Sequence, residues 1–367
     1  LYSHFRYKFD VIRSNESPDV VLSFAELDGL ILTGKERDGI CEYDPAKRVL
    51  RKMDLSSYPE LNDASIISML KDSSGRLWLA TDGLGLYVLD AERKLLHTIT
   101  EEEGLTNNAV LSLTERAGGE IWAGTYNGLN RIDSEGRVIH RIQADSAYPE
   151  LINDRILSLF QYNEHTIWFG TEGNGLYAYD IEKDDVQRFL NRPDHVQSIM
   201  RCSQGKIWIG SYQGLGEYIP ELDSLRLITT RDGLPNNVVY GIVESDDGKL
   251  WLSTNGGIAK YDMNSHTFSN YSTSDGLQSN EFNGGAYFRA ENGNIYFGGI
   301  QGFNEIRPAE YRIDSSRAKT VVRDFILSGK SEPMPESATN TMLRHTQNFF
   351  TFTFSSLDYI APDQQRF

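Results

Sequence analysis

Two cysteines, Cys41 and Cys202, are all that the sequence contains. No CxxC pair and no Cys/His cluster accompanies them, so nothing suggests a thiolate metal site, and no metal or other cofactor is expected. No run of 18 apolar residues occurs, so no segment reads as a membrane-spanning helix, and this segment is not expected to contact a membrane. Basic residues are outnumbered, 36 Lys plus Arg against 52 Asp plus Glu, for a net charge of −16. Such a surface repels phosphate backbones and anionic lipid and makes nucleic acid an unexpected partner; it would suit a cationic ligand, or simply keep the protein soluble. The seven histidines form no HExxH pair, and no GxSxG elbow exists. Helical periodicity is missing throughout. There is no signal peptide, and the chain opens in mid-pattern at Leu1, which reads as a trimmed piece.

What the chain does contain is a repeat. Gly75 to Asp90 reads GRLWLATDGLGLYVLD: a strand, a glycine-bearing turn and a returning strand. The same phrase recurs at Gly119 to Asp133, Thr166 to Asp180, Gly205 to Ile219, Gly248 to Asp262 and Gly293 to Arg307, with an earlier copy at Gly29 to Asp44. The key positions are Leu32, Trp78, Trp122, Trp168, Trp208, Trp251 and Tyr296, spaced by 46, 44, 46, 40, 43 and 45 residues. Self-similarity at this period marks a repeat architecture.

Each copy is flanked by two further short apolar runs, such as Ala64 to Leu70 and Lys94 to Thr100 around the second, with Gly, Asp, Asn and Ser between them. Four antiparallel strands in about 44 residues make one propeller blade, and a blade cannot cover both faces of its own sheet. The expected fold is therefore all-β, a seven-bladed β-propeller of four-stranded antiparallel blades over residues 1–308, with the tryptophans wedged between blades. The seventh blade lacks a fourth strand of its own, and the orphan strand His4 to Phe9 is expected to supply it, closing the ring and removing an exposed edge. Cys41 and Cys202 then fall in the first and fourth repeats, too far apart for the ~7 Å Cα separation that a disulfide needs. Beyond Pro308 the pattern changes. Ala318 to Leu327 and Asn348 to Phe354 read as strands of a partial, Ig-like β-sandwich over residues 309–367.

Several motifs dissolve on inspection. Gly29 to Glu36 nearly spells a phosphate-binding loop, but it lacks the Ser or Thr after the lysine and aligns with the blade core. Asp72 to Gly75 and Asp246 to Gly248 lack the twelfth-position Glu of a calcium loop and read as turns. Glu101 to Glu103 reads as a solvated loop.

The pattern Asp-x-x-Gly-x-Leu-Trp-x-Gly-Thr-x-x-Gly-Leu resembles the two-component regulator propeller repeat. So do the linkers Gly104 to Asn108, Gly233 to Asn237 and Gly276 to Asn280. The tail Phe350 to Phe367 resembles the start of the triple-tyrosine (Y_Y_Y) domain that follows such propellers. The resemblance implies the periplasmic sensor region of a hybrid two-component histidine kinase, anchored in the inner membrane. It implies a homodimer in the full receptor and oligosaccharide signals. By it, this chain would be a membrane-proximal propeller with a truncated relay domain, itself not an enzyme.

A ligand is expected at the mouth of the ring. Strands alternate in direction, so the turn between second and third strands emerges on the same face as the linker between blades. That face carries Lys35, Glu36, Arg37, Asp82, Tyr126, Asn127, Glu172, Asn174, Tyr212, Gln213, Asn255 and Gln301. Aromatic platforms with amide and carboxylate groups suit a saccharide, and Tyr126, Asn127, Glu172, Asn174, Tyr212, Gln213, Asn255 and Gln301 are the candidate binding residues. Two other readings compete: a scaffold propeller that binds only protein, including a second copy of itself, and a polysaccharide lyase or hydrolase with catalytic residues drawn from separate blades.

Overall fold

The computed structural model describes residues 9–14, 19–144, 148, 151, 155–190, 193–310, 320–327, 330–332 and 349–356. These fall into two units, one within residues 7–310 and the other within residues 311–367.

The first unit is built from seven four-stranded antiparallel sheets, the blades. In blades one to six the strands pair in chain order, and the inner strands are Val21–Leu27, Ile66–Lys71, Val110–Arg116, Ile156–Asn163, Val196–Arg201 and Val239–Glu244. Blade seven has Phe282–Arg289 as its inner strand and takes its outer strand from the other end of the chain: Asp10–Ile12 pairs antiparallel with Gly302–Ile306, Asp10 facing Glu305 and Ile12 facing Phe303. This strand lies later than the expected His4 to Phe9, because Val11 and Ile12 meet Asn304 and Phe303 while Phe9 turns its ring under Trp251 and Tyr271. Residues 4–8 lie outside the described residues.

The core sits between blades, as a sheet buried on both faces demands. Trp78 packs with Val110 and Ile121 of the next blade, Trp122 with Phe169 and Tyr179, and Trp208 with Leu250 and Leu252. The three tryptophans are at most 1% exposed. Burying one such ring is worth roughly 4–6 kcal/mol gross, an upper bound. Cys41 and Cys202 are buried in blades one and five, with no disulfide between them; the later position puts Cys202 just after the inner strand of blade five rather than in blade four.

Small residues let the blades approach. In blade four, Gly170 opposes Ser158, whose hydroxyl donates to the Val196 carbonyl of blade five at 3.1 Å. A Cβ on Gly170 would lie 2.4 Å from that hydroxyl. Ser23 and Ser112 make the equivalent bonds to Ile66 and Ile156, at 2.7 and 2.9 Å. The recurring Gly of the Trp-x-Gly-Thr phrase is thus a packing residue.

The linker phrase has a mechanism too. Thr230–Asp232 and Thr273–Asp275 are single 3₁₀ turns with capping boxes, closed by Gly233 and Gly276 at positive φ. The last Asn of each phrase staples its turn: Asn108, Asn237 and Asn280 accept from the backbone N–H groups of Glu101, Thr230 and Thr273 at 2.8, 2.9 and 3.0 Å. Leu105, Leu234 and Leu277 bury the turn against the blade.

The second unit contains a three-stranded antiparallel sheet, Lys330–Glu332, Thr320–Leu327 and Phe350–Ser356 in that order, with Phe325 stacked on Phe352 at 5.0 Å. The rest of the expected sandwich, and most of the triple-tyrosine tail, lie outside the described residues.

Candidate functional site

One hydrogen bond, repeated, builds the candidate face. The first residue of each second-to-third-strand turn donates its N–H to the carbonyl just before that blade's inner strand: Asp82 to Ser65, Tyr126 to Ala109, Glu172 to Arg155, Tyr212 to His195 and Asn255 to Val238, at 3.0–3.3 Å. The glycine that follows bonds onward to the next blade's linker, as Gly85 does to Asn108 (2.9 Å), Gly175 to Asp194 (2.9 Å) and Gly257 to Asn280 (2.7 Å). Turns and linkers therefore share one face, and residues from two blades meet there.

On blades three to six this face forms an arc of aromatic and charged side chains. The Arg155 guanidinium lies over the Tyr126 ring, 4.3 Å from its centroid, and binds both oxygens of Glu172 at 2.9 and 3.2 Å. Glu172 neighbours Tyr212, and its charge adds to burial in pushing the Tyr212 phenol up. His195 stacks on Tyr212 at 4.6 Å and 7°. Tyr240 meets Tyr212 edge-on at 6.2 Å, and burial, followed by Tyr212 and Glu281, pushes its phenol up to about 12. Both phenols stay protonated at neutral pH and can donate.

The arc ends on the propeller axis, where blade seven departs from the others. Each inner strand of blades one to six carries one extra residue opposite its partner: Leu22, Ile67, Leu111, Leu157, Gln197 and Tyr240. In blade seven Phe282 faces Gly299 and the next pair is Tyr287 with Phe297, so the bulge holds three extra residues. It reaches across the axis: a Cβ on Gly284 would lie 2.6 Å from Gln197 Oε1 of blade five and 3.8 Å from the Tyr240 ring. Gly285, at φ +77°, sits beside the Leu22 and Ile67 carbonyls. Both glycines are exposed, forming a side-chain-free floor next to Tyr240.

The sequence-derived residues separate into two groups. Tyr126, Glu172 and Tyr212 are brought together in the arc. The backbone carbonyls of Asn127 and Asn174 accept from the side chains of Gln143 and Arg188, which belong to or follow the outer strands of their blades. Gln213 keeps its Oε1 buried. Asn255 is exposed on blade six, its N–H bonded to the Val238 carbonyl two residues before Tyr240, at the far end of the arc from Tyr126. Gln301 belongs to the closure, forming a β-bridge with Asp19 and donating its N–H to Gln278 Oε1 at 2.8 Å. Lys35 is a correction: it is 1% exposed and ion-paired with Asp19, so it is no surface ligand group. Arg155, His195 and Tyr240 escape a motif search because they precede or open the inner strand, outside the repeated core. Their signal is positional. Arg155 and His195 stand 13 residues before the blade tryptophan, where Ser65, Ala109 and Val238 stand elsewhere. Among the described residues no group of His, Cys, Asp or Glu could hold a metal ion, and no helix is long and apolar enough to cross a membrane.

The chain carries two-component regulator propeller repeats, residues 60–83 and 233–256 matching the family model described as two component regulator propeller. It is homologous to extracellular domains of hybrid two-component systems. It is 27% identical to the extracellular domain of BT3049 from B. thetaiotaomicron, a protein assigned as a hybrid two component system. The TM-score is 0.77, over 97% of this chain and 50% of that one. The extracellular domain of BT4673 from the same organism shares the fold, with a TM-score of 0.68 at 19% identity over 86% of this chain and 41% of that one. Histidine kinase P4 of Formosa agariphila is 28% identical over 285 residues, 74% of this chain and 17% of that protein. The chain thus spans half of its BT3049 counterpart and about a sixth of the kinase.

Proposed function

We propose that this chain is a sensing module of a periplasmic receptor domain, binding an oligosaccharide on the arc from Tyr126 to Tyr240 and relaying occupancy toward a cytoplasmic histidine kinase. The observation that carries the reading is the ring surface itself: Tyr212 is 40% exposed beside Tyr240, Glu172 and a glycine floor that lets a ligand approach the backbone. Sugar rings stack their C–H faces on such platforms while carboxylate, phenol and amide groups take up their hydroxyls. The homology to extracellular domains of hybrid two-component systems supports the relay half. A propeller with blades locked by buried rings and inter-blade hydrogen bonds transmits little internal change, so the relay works through the arrangement of two receptor copies.

The test is thermal unfolding of the chain with and without a panel of neutral oligosaccharides. A ligand at a hundred times its dissociation constant adds ~2.7 kcal/mol, which moves the midpoint by a few degrees. One glycan is expected to shift the midpoint, and Tyr212→Ala or Glu172→Gln to abolish the shift. A shift that survives both substitutions, or no shift with any glycan, overturns the reading.

A further inference from the structure

The opposite face carries a second recess. There the inner strands of blades five, six and seven end, and they flank an open groove of about 610 Å³. Its floor is apolar: Met200, Val243 and Phe288. Its rim holds four charged side chains, Arg201, Arg289, Glu244 and Asp246. Both acids are already engaged. Glu244 accepts from the N–H and hydroxyl of Ser203 at 2.7 and 2.6 Å, and Asp246 is ion-paired with Arg289.

Arg201 is different. Its guanidinium lies against the Phe160 and Tyr162 rings, with centroids 5.5 and 5.7 Å away, and donates to the Tyr162 carbonyl at 2.7 Å. No carboxylate lies within ion-pair distance of it among the described residues, in a chain whose net charge is −16. The two blade-four rings and the carbonyl hold the fork in place on the blade-four side of the recess, where Arg201 is exposed and, among the described residues, has no carboxylate within ion-pair distance. A planar guanidinium so fixed is built to take a carboxylate in two parallel hydrogen bonds. A volume of this size falls within the range of small-ligand clefts.

From this the geometry points to a second binding site, distinct from the Tyr126–Tyr240 arc. It takes an organic carboxylate carried on a ring: the carboxylate on Arg201, the apolar ring face on Met200 and Phe288. An acidic sugar and an aromatic acid share this chemistry.

Isothermal titration of the chain with trigalacturonate, with neutral galactotriose and with benzoate tests it. Trigalacturonate or benzoate is expected to bind and galactotriose to leave this site empty. Binding by trigalacturonate alone identifies the acidic sugar as the source, and binding by benzoate alone the aromatic acid. Arg201→Gln is expected to weaken acid binding at least about tenfold, and Arg201→Lys less, because charge remains but the fork is lost. Both variants must keep the parent's unfolding midpoint. Glu244→Gln, whose charge faces the same groove, is expected to leave acid binding intact or tighten it. The proposal fails if neither acid binds, or if Arg201→Gln binds them unchanged. Neutral-glycan binding lost in Tyr212→Ala but kept in Arg201→Gln separates this site from the arc, so either can fail alone.

Discussion

The Lys35 ammonium and the Asp19 carboxylate form an ion pair with side chains only 1% and 6% exposed. Asp19 also takes the Ser14 N–H at 2.6 Å, and its carbonyl takes the Gly302 N–H at 2.6 Å. The pair therefore joins the N-terminal segment, blade one and blade seven at a single point. Blades two to six place a threonine or serine at Lys35's position, as Thr81, Thr125, Thr171, Ser211 and Thr254.

Breaking one side of this pair leaves a buried charge without its partner. Lys35→Met and Asp19→Asn are each expected to cost about 3–5 kcal/mol, and the double substitution Lys35→Met/Asp19→Asn less than their sum. Urea unfolding of the three variants checks this. Additive losses would mean that the two groups do not act together.

Gly170→Ala forces a methyl against the Ser158 hydroxyl and Val196. The expected loss is about 2–3 kcal/mol, from overpacking and a weakened inter-blade hydrogen bond. Blade two supplies an internal control: Ala80 stands at this position opposite Ser68, and Ser68 makes no inter-blade bond among the described residues. Ala80→Gly is expected to cost far less. Chemical denaturation of both variants tests the pairing of small residues.

Asp262 titrates at about 2, held down first by the Lys249 ammonium at 2.5 Å and then by the Asn264 N–H at 2.9 Å. Its folded-state value lies below the unfolded value of about 3.9, so the stability it contributes is complete above pH ~4 and is lost as pH falls toward 2. Asp262→Asn is expected to flatten the fall in stability across that window and leave the slope at neutral pH unchanged. Urea midpoints measured as a function of pH decide it.

Asn237→Ala removes the acceptor that staples the Thr230–Asp232 turn. The expected cost is about 1 kcal/mol, equal at Asn108 and Asn280, which hold the same role. Hydrogen exchange at the Thr230 amide should rise in the first variant and stay unchanged in the other two.

The blades were legible because their cause is local. Alternating apolar residues, a turn glycine and a tryptophan recur at fixed spacing, and each is dictated by the strand that carries it. Tyr126, Glu172 and Tyr212 could be assigned to one face for the same reason, since strand direction follows from strand count. What joins them could not. Arg155, His195 and Tyr240 meet the turns through a backbone hydrogen bond between distant segments, and no periodicity marks them. Lys35 misled because a lysine at a turn reads as exposed, and its partner Asp19 is near only after folding. The axial bulge at Asn283 to Ala286 left a trace, the paired glycines, but its reach to Gln197 depends on the diameter of the ring.

The joint in blade seven has a mechanical meaning. Asp10 and Glu305 face each other across an antiparallel pair, so the chain leaves the blade at two adjacent points. A pull that separates those points loads the three pairs one after another, starting at Asp10, rather than all together. The propeller would open at this joint as a zipper opens, at low force, while the other six blades, each stitched by consecutive chain, stay shut.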